Sequence, residues 1–380
     1  MKTTQSNRVM GSAVLATVST AFPGFLIGAL SVQVAAEFDV SEARYGWGLG
    51  SFFLAAMLGS IGFGRLAQII GPRRQVSIAL LMAGAIELAI AAFADSFAWV
   101  IAGLAAIGLL NAAIQTGVNL MLAQAKLPRL GFAVALKQSG MPSASLLAGF
   151  AVPVIALTVG WRWAYVVGAA LTFIAAAVLR RAVAPIGRVA QAERAEPTST
   201  RSALGIAAVS GLFMAFAAGA LVSWLVGSGV DQGLDEGAAG LVLSLGAAIG
   251  ITIRMTIGSR LDTYEGKPFR AAALVSFVGA AGMAALAFDG RVTHVAATVV
   301  AFGAGWVWPV FTNFGIVRRN AAAAGAATGI TQMGVYVGVF LAPLISGWVI
   351  ETWGYPQMWL MVAVSMVVGS SLALLVADHF

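Results

Sequence analysis

Residues 117–140 read GVNLMLAQAKLPRLGFAVALKQSG, and 194 residues later the chain reads FTNFGIVRRNAAAAGAATGITQMG. Laid on each other without a gap, Asn119 meets Asn313, Gln138 meets Gln332 and Gly140 meets Gly334. Each stretch leaves one apolar run, crosses a basic loop and enters the next. The same offset pairs Glu42 with Glu236, Gly46 with Gly240, Gly64 with Gly258 and Gly160 with Gly354. In a chain with 45 glycines, glycine matches alone would say little, but amides recurring inside apolar runs are a strong sign of duplication.

Composition tells what is duplicated. Of 380 residues, 60% are hydrophobic and only 10% charged, with a mean hydropathy of +0.91. Water-soluble domains do not reach such values. A helix needs about 20 apolar residues to cross a bilayer. Twelve such stretches follow one another: 9–36, 44–70, 76–94, 97–125, 129–155, 162–182, 203–230, 237–262, 269–288, 293–317, 323–350 and 356–376. The longest polar interruption, RRAVAPIGRVAQAERAEPTSTRS at 180–202, separates six from six. The expectation is an all-α membrane protein, twelve spans in two pseudo-symmetric six-helix bundles, 1–182 and 203–380, joined by a cytoplasmic linker at 183–202. The apolar run after MKTTQSNRVM is too long for a signal-peptide core, so it reads as a retained first span.

Charge placement gives the orientation. Seventeen of the 22 Lys and Arg fall on the N-terminal side and in the even-to-odd loops, against three, Arg44, Arg162 and Arg291, on the other side. Basic loops stay in the cytoplasm, which predicts cytoplasmic termini and a cytoplasmic-membrane location. The net charge of +7 is thus a topology signal and a weak attraction for anionic lipid, with no need of nucleic acid. The absence of cysteine excludes disulfides, thiolate chemistry and cysteine metal sites. The two histidines, His294 and His379, lie at span ends, and no buried carboxylate pair or Ser/His arrangement is visible. The chain therefore reads as no enzyme, with no cofactor and no metal site.

Duplicated helical bundles with a site at their interface are the architecture of rocking transporters. GRLAQIIGPRR at 64–74 and its repeat GSRLDTYEGKP at 258–268 resemble the loop signature of the major facilitator superfamily. The resemblance implies gating roles for Gly64, Gln68, Gly71, Arg73, Arg74, Gly258 and Asp262. Gln68 stands where the first copy of that signature has its acid, whereas Asp262 keeps it in the second. The fourth span also lacks the arginine, and the first span any acid, of many proton-driven drug antiporters. Both absences argue against a multidrug exporter.

Three ionisable residues lie well inside spans: Glu87, Lys137 and Arg254. Each costs at least ~2.5 kcal/mol at a helix centre, which makes it a functional candidate. Counted from Pro128 and Asp262, Lys137 and Arg254 sit about 13 Å and about 12 Å above the cytoplasmic end. The repeat sets Lys137 against Thr331 and Arg254 against Ser60, so neither cation belongs to the symmetric scaffold. In the fold that the resemblance implies, spans five and eight meet at the interface between the bundles, so the two level cations would flank one path and call for an anion between them. Alternatives remain open: a snorkelling or neutral lysine, an arginine held by helix carbonyls, and Glu87 as a proton carrier.

The Arg254-x-x-x-Gly258-x-x-x-Asp262 spacing resembles the eighth span of monocarboxylate and oxalate transporters, which implies that Arg254 binds a carboxylate. LKQSGMP at 136–142 resembles cyanate-type members. Asn111, Gln115 and Asn119 recur at helical spacing on the fourth span, with Asn313 on the tenth and Gln138 and Gln332 on the fifth and eleventh. These amides are candidates for substrate contact or for interhelical bonds of about 0.6 kcal/mol each. Trp306, Trp308 and Tyr336 are candidates for an apolar wall, or for packing. The reading is a monomeric secondary transporter of a small organic anion, a carboxylate, coupled to protons or to a second anion, in contact with the lipid bilayer. Its rival is a proton-driven exporter of an amphipathic drug or metabolite through Glu87.

Overall fold

The computed structural model describes residues 2–124, 136–183, 196–261 and 263–380. Among them every regular element is helical. The spans are α1 (Lys2–Ala29), α2 (Trp47–Ile70), α3 (Pro72–Phe93), α4 (Phe97–Gln124), α5 (Leu136–Val159), α6 (Trp161–Ala182), α7 (Arg201–Asp231), α8 (Glu236–Leu261), α9 (Pro268–Ala285), α10 (Arg291–Arg319), α11 (Ala324–Trp353) and α12 (Tyr355–Leu375). Eleven are long and apolar enough to cross a membrane outright, and α2, bent by 58° between Ser60 and Gly62, makes a twelfth if counted as one span. Phe150, Ile174, Val278 and Val364 are exposed on these helices. Such apolar surface suits lipid tails rather than water.

Helix boundaries follow backbone chemistry. Gly71, Gly160 and Gly354 adopt φ of 88°, 98° and 91°, a region that L side chains avoid. Pro72, Pro268 and Pro356 open α3, α9 and α12, where a missing N–H costs no helical bond. Gly160 and Gly354 are repeat mates, so the duplication extends to backbone conformation.

Three spans that the sequence suggested were continuous are interrupted, the second and third of them at prolines. The run expected at 9–36 ends as a helix at Ala29 and resumes as Ser31–Phe38. Leu30 N–H still bonds Leu26 and Leu30 O still accepts from Val34 N–H, so the chain kinks there without a gap in the ladder. In α5, Pro153 sits in a π-helical turn, Val152–Ala156. In α10, expected unbroken at 293–317, the helix stops at Gly305 and restarts at Trp308. Pro309 has no N–H, and Val310 N–H turns to Val307 O at 3.1 Å.

Helices α1–α6 and α7–α12 form two bundles that meet where α1 faces α7, α2 faces α11 and α5 faces α8. The seam is tightest near the face away from the termini. A Cβ on Gly46 would lie 2.4 Å from Pro343 O, and one on Gly240 would lie 2.7 Å from Gly149 O. Gly46 and Gly240 are one repeat pair, and Gly149 and Pro343 are another at the same offset of 194. The two seams are thus one contact made twice about a pseudo-two-fold axis. Glu351 Oε2 accepts from Ala43 N–H at 3.2 Å, and Gln33 donates to Glu236, adding polar ties between the bundles at that end.

Candidate functional site

With the far end sealed, the space between the bundles widens toward the face that holds both termini. It forms a cavity of about 930 Å³. Phe25, Phe53 and Trp306 close its deep end, with Phe25 edge-on to Trp306 at 6.2 Å across the bundle seam. Its mouth is bordered by Gln68, Leu122, Val317 and Gly325, near the terminal ends of α2, α4, α10 and α11.

All eight expected substrate residues line this one cavity: Gln115, Asn119, Lys137, Gln138, Arg254, Asn313, Gln332 and Tyr336. So do Ser60 and Thr331, the repeat mates of the two cations. Equivalent positions in each bundle therefore face the same space, and only one of each pair carries charge. Gln115 Nε2 donates to Asn111 Oδ1 at 3.4 Å, and Thr20 Oγ1 donates to the same oxygen at 3.2 Å. Asn313 Nδ2 donates to Pro309 O at 2.8 Å. Those two amides are partly committed to the scaffold, whereas Asn119 is exposed to the cavity.

The cations differ sharply. Arg254 is only 2% exposed. Its Nη1 donates to Gln138 O at 2.8 Å, its Nη2 donates to Trp306 O, and its guanidinium lies 5.1 Å from the centre of the Trp306 ring. Lys137 is half-buried and makes no hydrogen bond or ion pair with any described residue. The two are nevertheless neighbours, because Arg254 grips the carbonyl of the residue that follows Lys137. Among the described lining residues there is no Asp or Glu. A negative group entering here meets one unpaired ammonium and no like charge.

Glu87 lies elsewhere. It is fully buried inside the first bundle, where Oε1 accepts from Thr172 Oγ1 at 2.9 Å. A Cβ on Gly168 would sit 2.4 Å from its Oε2. It does not line the cavity.

Of the residues expected to gate, Gly64 and Gln68 border the cavity, and Gly64 has open space around its missing Cβ. Gly71 turns the chain between α2 and α3, and Arg73 Nη2 donates to Arg180 O at 2.5 Å, tying that loop to the end of α6. Arg74 is exposed and Gly258 is buried within α8. Asp262 lies outside the described residues. Sequence reasoning missed Phe25 and Phe53, which carry no signal apart from hydrophobicity. It also missed Thr328, whose i, i+4 spacing to Gln332 would have marked the same face, and Thr312, which lines the cavity next to Asn313 in sequence.

Residues 12–330 match the family model described as the Major Facilitator Superfamily. No curated relative matches the chain. Among solved structures, a bacterial homolog to the human lysosomal transporter Spinster, inward-facing and unoccupied, aligns with a TM-score of 0.75 at 12% identity, covering 99% of this chain and 98% of that one. The same homolog in its inward-facing and occupied conformation gives 0.74 at 14% identity, covering 98% and 97%. At such identities the likeness speaks for the fold alone. Twelve spans, two bundles with a cavity between them and the family match over most of the chain place this protein in the Major Facilitator Superfamily, as a secondary transporter and not an enzyme.

Proposed function

We propose that the protein carries a small organic anion, a carboxylate, across the cytoplasmic membrane, with Lys137 as the group that meets its charge. One observation carries the reading: a half-buried lysine without a partner faces a cavity whose described lining holds no acid. An unpaired charge at that depth is unfavourable to the empty protein and is offset when a counter-charge arrives. Polar side chains from both bundles, Asn119 and Gln332 among them, line the same cavity, which supports hydrogen bonding to the rest of the ligand.

Alternating access closes the terminal face over the ligand while the far seam opens. Coupling runs through protons or through exchange for a second anion: when the ligand leaves, Lys137 either gives up a proton or pairs with the next anion, and either removes the unpaired charge. The charge bias of the loops supports cytoplasmic termini, so the open side faces the cytoplasm. The site lies between bundles of one chain, which supports a working monomer whose bundles divide at 183–202.

The rival, a proton-driven exporter of an amphipathic drug or metabolite through Glu87, would need that acid in the path. Glu87 is sealed away from it. The test is thermal unfolding of the purified protein with small mono- and dicarboxylates, aromatic acids and cationic drugs, repeated on Lys137→Ala. Stabilisation by anions that disappears in the variant is the expected result. Stabilisation by cations alone overturns the reading.

A further inference from the structure

Two carbonyls that hold Arg254 are free for the same reason. In an α-helix the carbonyl of residue i accepts from the N–H of residue i+4. The partner of Gln138 O would be residue 142, which is Pro142 and has no N–H. The partner of Trp306 O would be Val310, whose N–H is diverted to Val307 O at the break made by Pro309. One orphaned carbonyl thus comes from α5 in the first bundle and one from α10 in the second. Arg254, on α8 between them, donates to both. Its remaining Nε is buried and without a partner, sealed from the cavity.

This arrangement sets the charge that the cavity can accept. Arg254 is solvated by protein: two carbonyl dipoles and the face of Trp306 stand in for water. For a ligand to recruit it, the guanidinium would have to leave one or both carbonyls, and each would then be buried without a donor. Lys137 needs no such exchange. Among the described lining residues it is the one cation without a protein partner, and no carboxylate competes for it.

We infer that the site is built for an organic monoanion: one negative group docks on Lys137 while Arg254 stays tied to the Gln138 and Trp306 carbonyls. This rests on the anion reading above and narrows it. The rest of the ligand is uncharged, hydrogen-bonds the amides of Asn119 and Gln332, and lies against the aromatic floor at Phe25 and Phe53. Arg254 then acts as a positioning residue, since it fixes the backbone beside Lys137 and links α5 to α10 through α8. A second negative group on the ligand would enter the cavity with no free counter-charge and would be rejected.

The experiment compares matched pairs that differ by one charge: monomethyl succinate against succinate, and benzoate against phthalate. Binding to the full-length protein in detergent is read at pH 8 by the shift in unfolding temperature across a concentration series. The singly charged member is expected to bind at least about tenfold tighter in each pair that binds. Pro142→Ala offers Gln138 O a helical N–H, releases one Nη of Arg254, and narrows that preference. The wild-type comparison stands even if this variant folds poorly. Equal or tighter binding of the dianions by the wild type overturns the monoanion inference while leaving the anion reading intact. If none of the anions stabilises the protein, the anion reading fails and the inference falls with it.

Discussion

Lys137 and Arg254 have the same formal charge and opposite roles in the empty protein. Lys137 carries an unpaired charge, so Lys137→Met should leave unliganded stability unchanged or raise it, while abolishing stabilisation by anions. Thermal unfolding with and without the anion measures both. Arg254 satisfies two carbonyls that the prolines left open. Arg254→Ala should cost about 2–5 kcal/mol even without ligand, seen as lowered resistance to denaturant in detergent. Glu87→Gln keeps an acceptor for Thr172 Oγ1, and its site is closed to the cavity. Transport in proteoliposomes should therefore keep its rate and pH profile, and a lost pH dependence would return Glu87 to the coupling path. Beyond α12, the hydrogen bond and charge of Lys267 hold the exposed Asp378 carboxyl below the usual carboxylate range. A depressed carboxyl contributes stability above its unfolded value and loses it as pH falls through the folded one. Exposure to solvent keeps that contribution small, so Asp378→Asn should barely move the unfolding temperature at pH 7.

At the scale of helices, the glycines at the far seam govern which face opens. Valine at position 46 would push a side chain into Pro343 O, where even a Cβ lies at 2.4 Å. Overpacking of this kind costs about 1–3 kcal/mol. Here it falls only on the far-sealed state, so Gly46→Val should shift the protein toward the opposite one. Because the chain has no cysteine of its own, a single cysteine at Thr328 on the cavity mouth would report this as slower labelling by a water-soluble maleimide. The elements also show how far the sequence could be read. Span number, the duplication and the polar faces of α4, α10 and α11 were legible because bilayer thickness and helical period impose them on residue order. Pro142 and Pro309 stand in the sequence too, but spans 129–155 and 293–317 read as continuous because their apolar length is that of a full crossing. What takes up the carbonyls those prolines release depends on how α5, α8 and α10 approach one another, and no local rule encodes that. The same holds for Phe25 and Phe53, which look like any other apolar residue until two bundles converge on them.

Across the whole molecule, the pseudo-two-fold axis that relates the bundles makes the cavity a space with two equivalent walls. Thr331, the repeat mate of Lys137, lines that cavity from α11 as Lys137 does from α5. The ammonium could therefore be supplied from either wall without a new pocket having to be built. In the double exchange Lys137→Thr with Thr331→Lys, the anion stabilisation lost in Lys137→Thr alone should return, and the bound molecule should be turned half a revolution about the axis. A failure of the second change to rescue the first would mean that the walls differ in more than their charge. If rescue occurs, duplication has left this transporter a spare mooring, and the direction in which its cargo points is set by a single side chain.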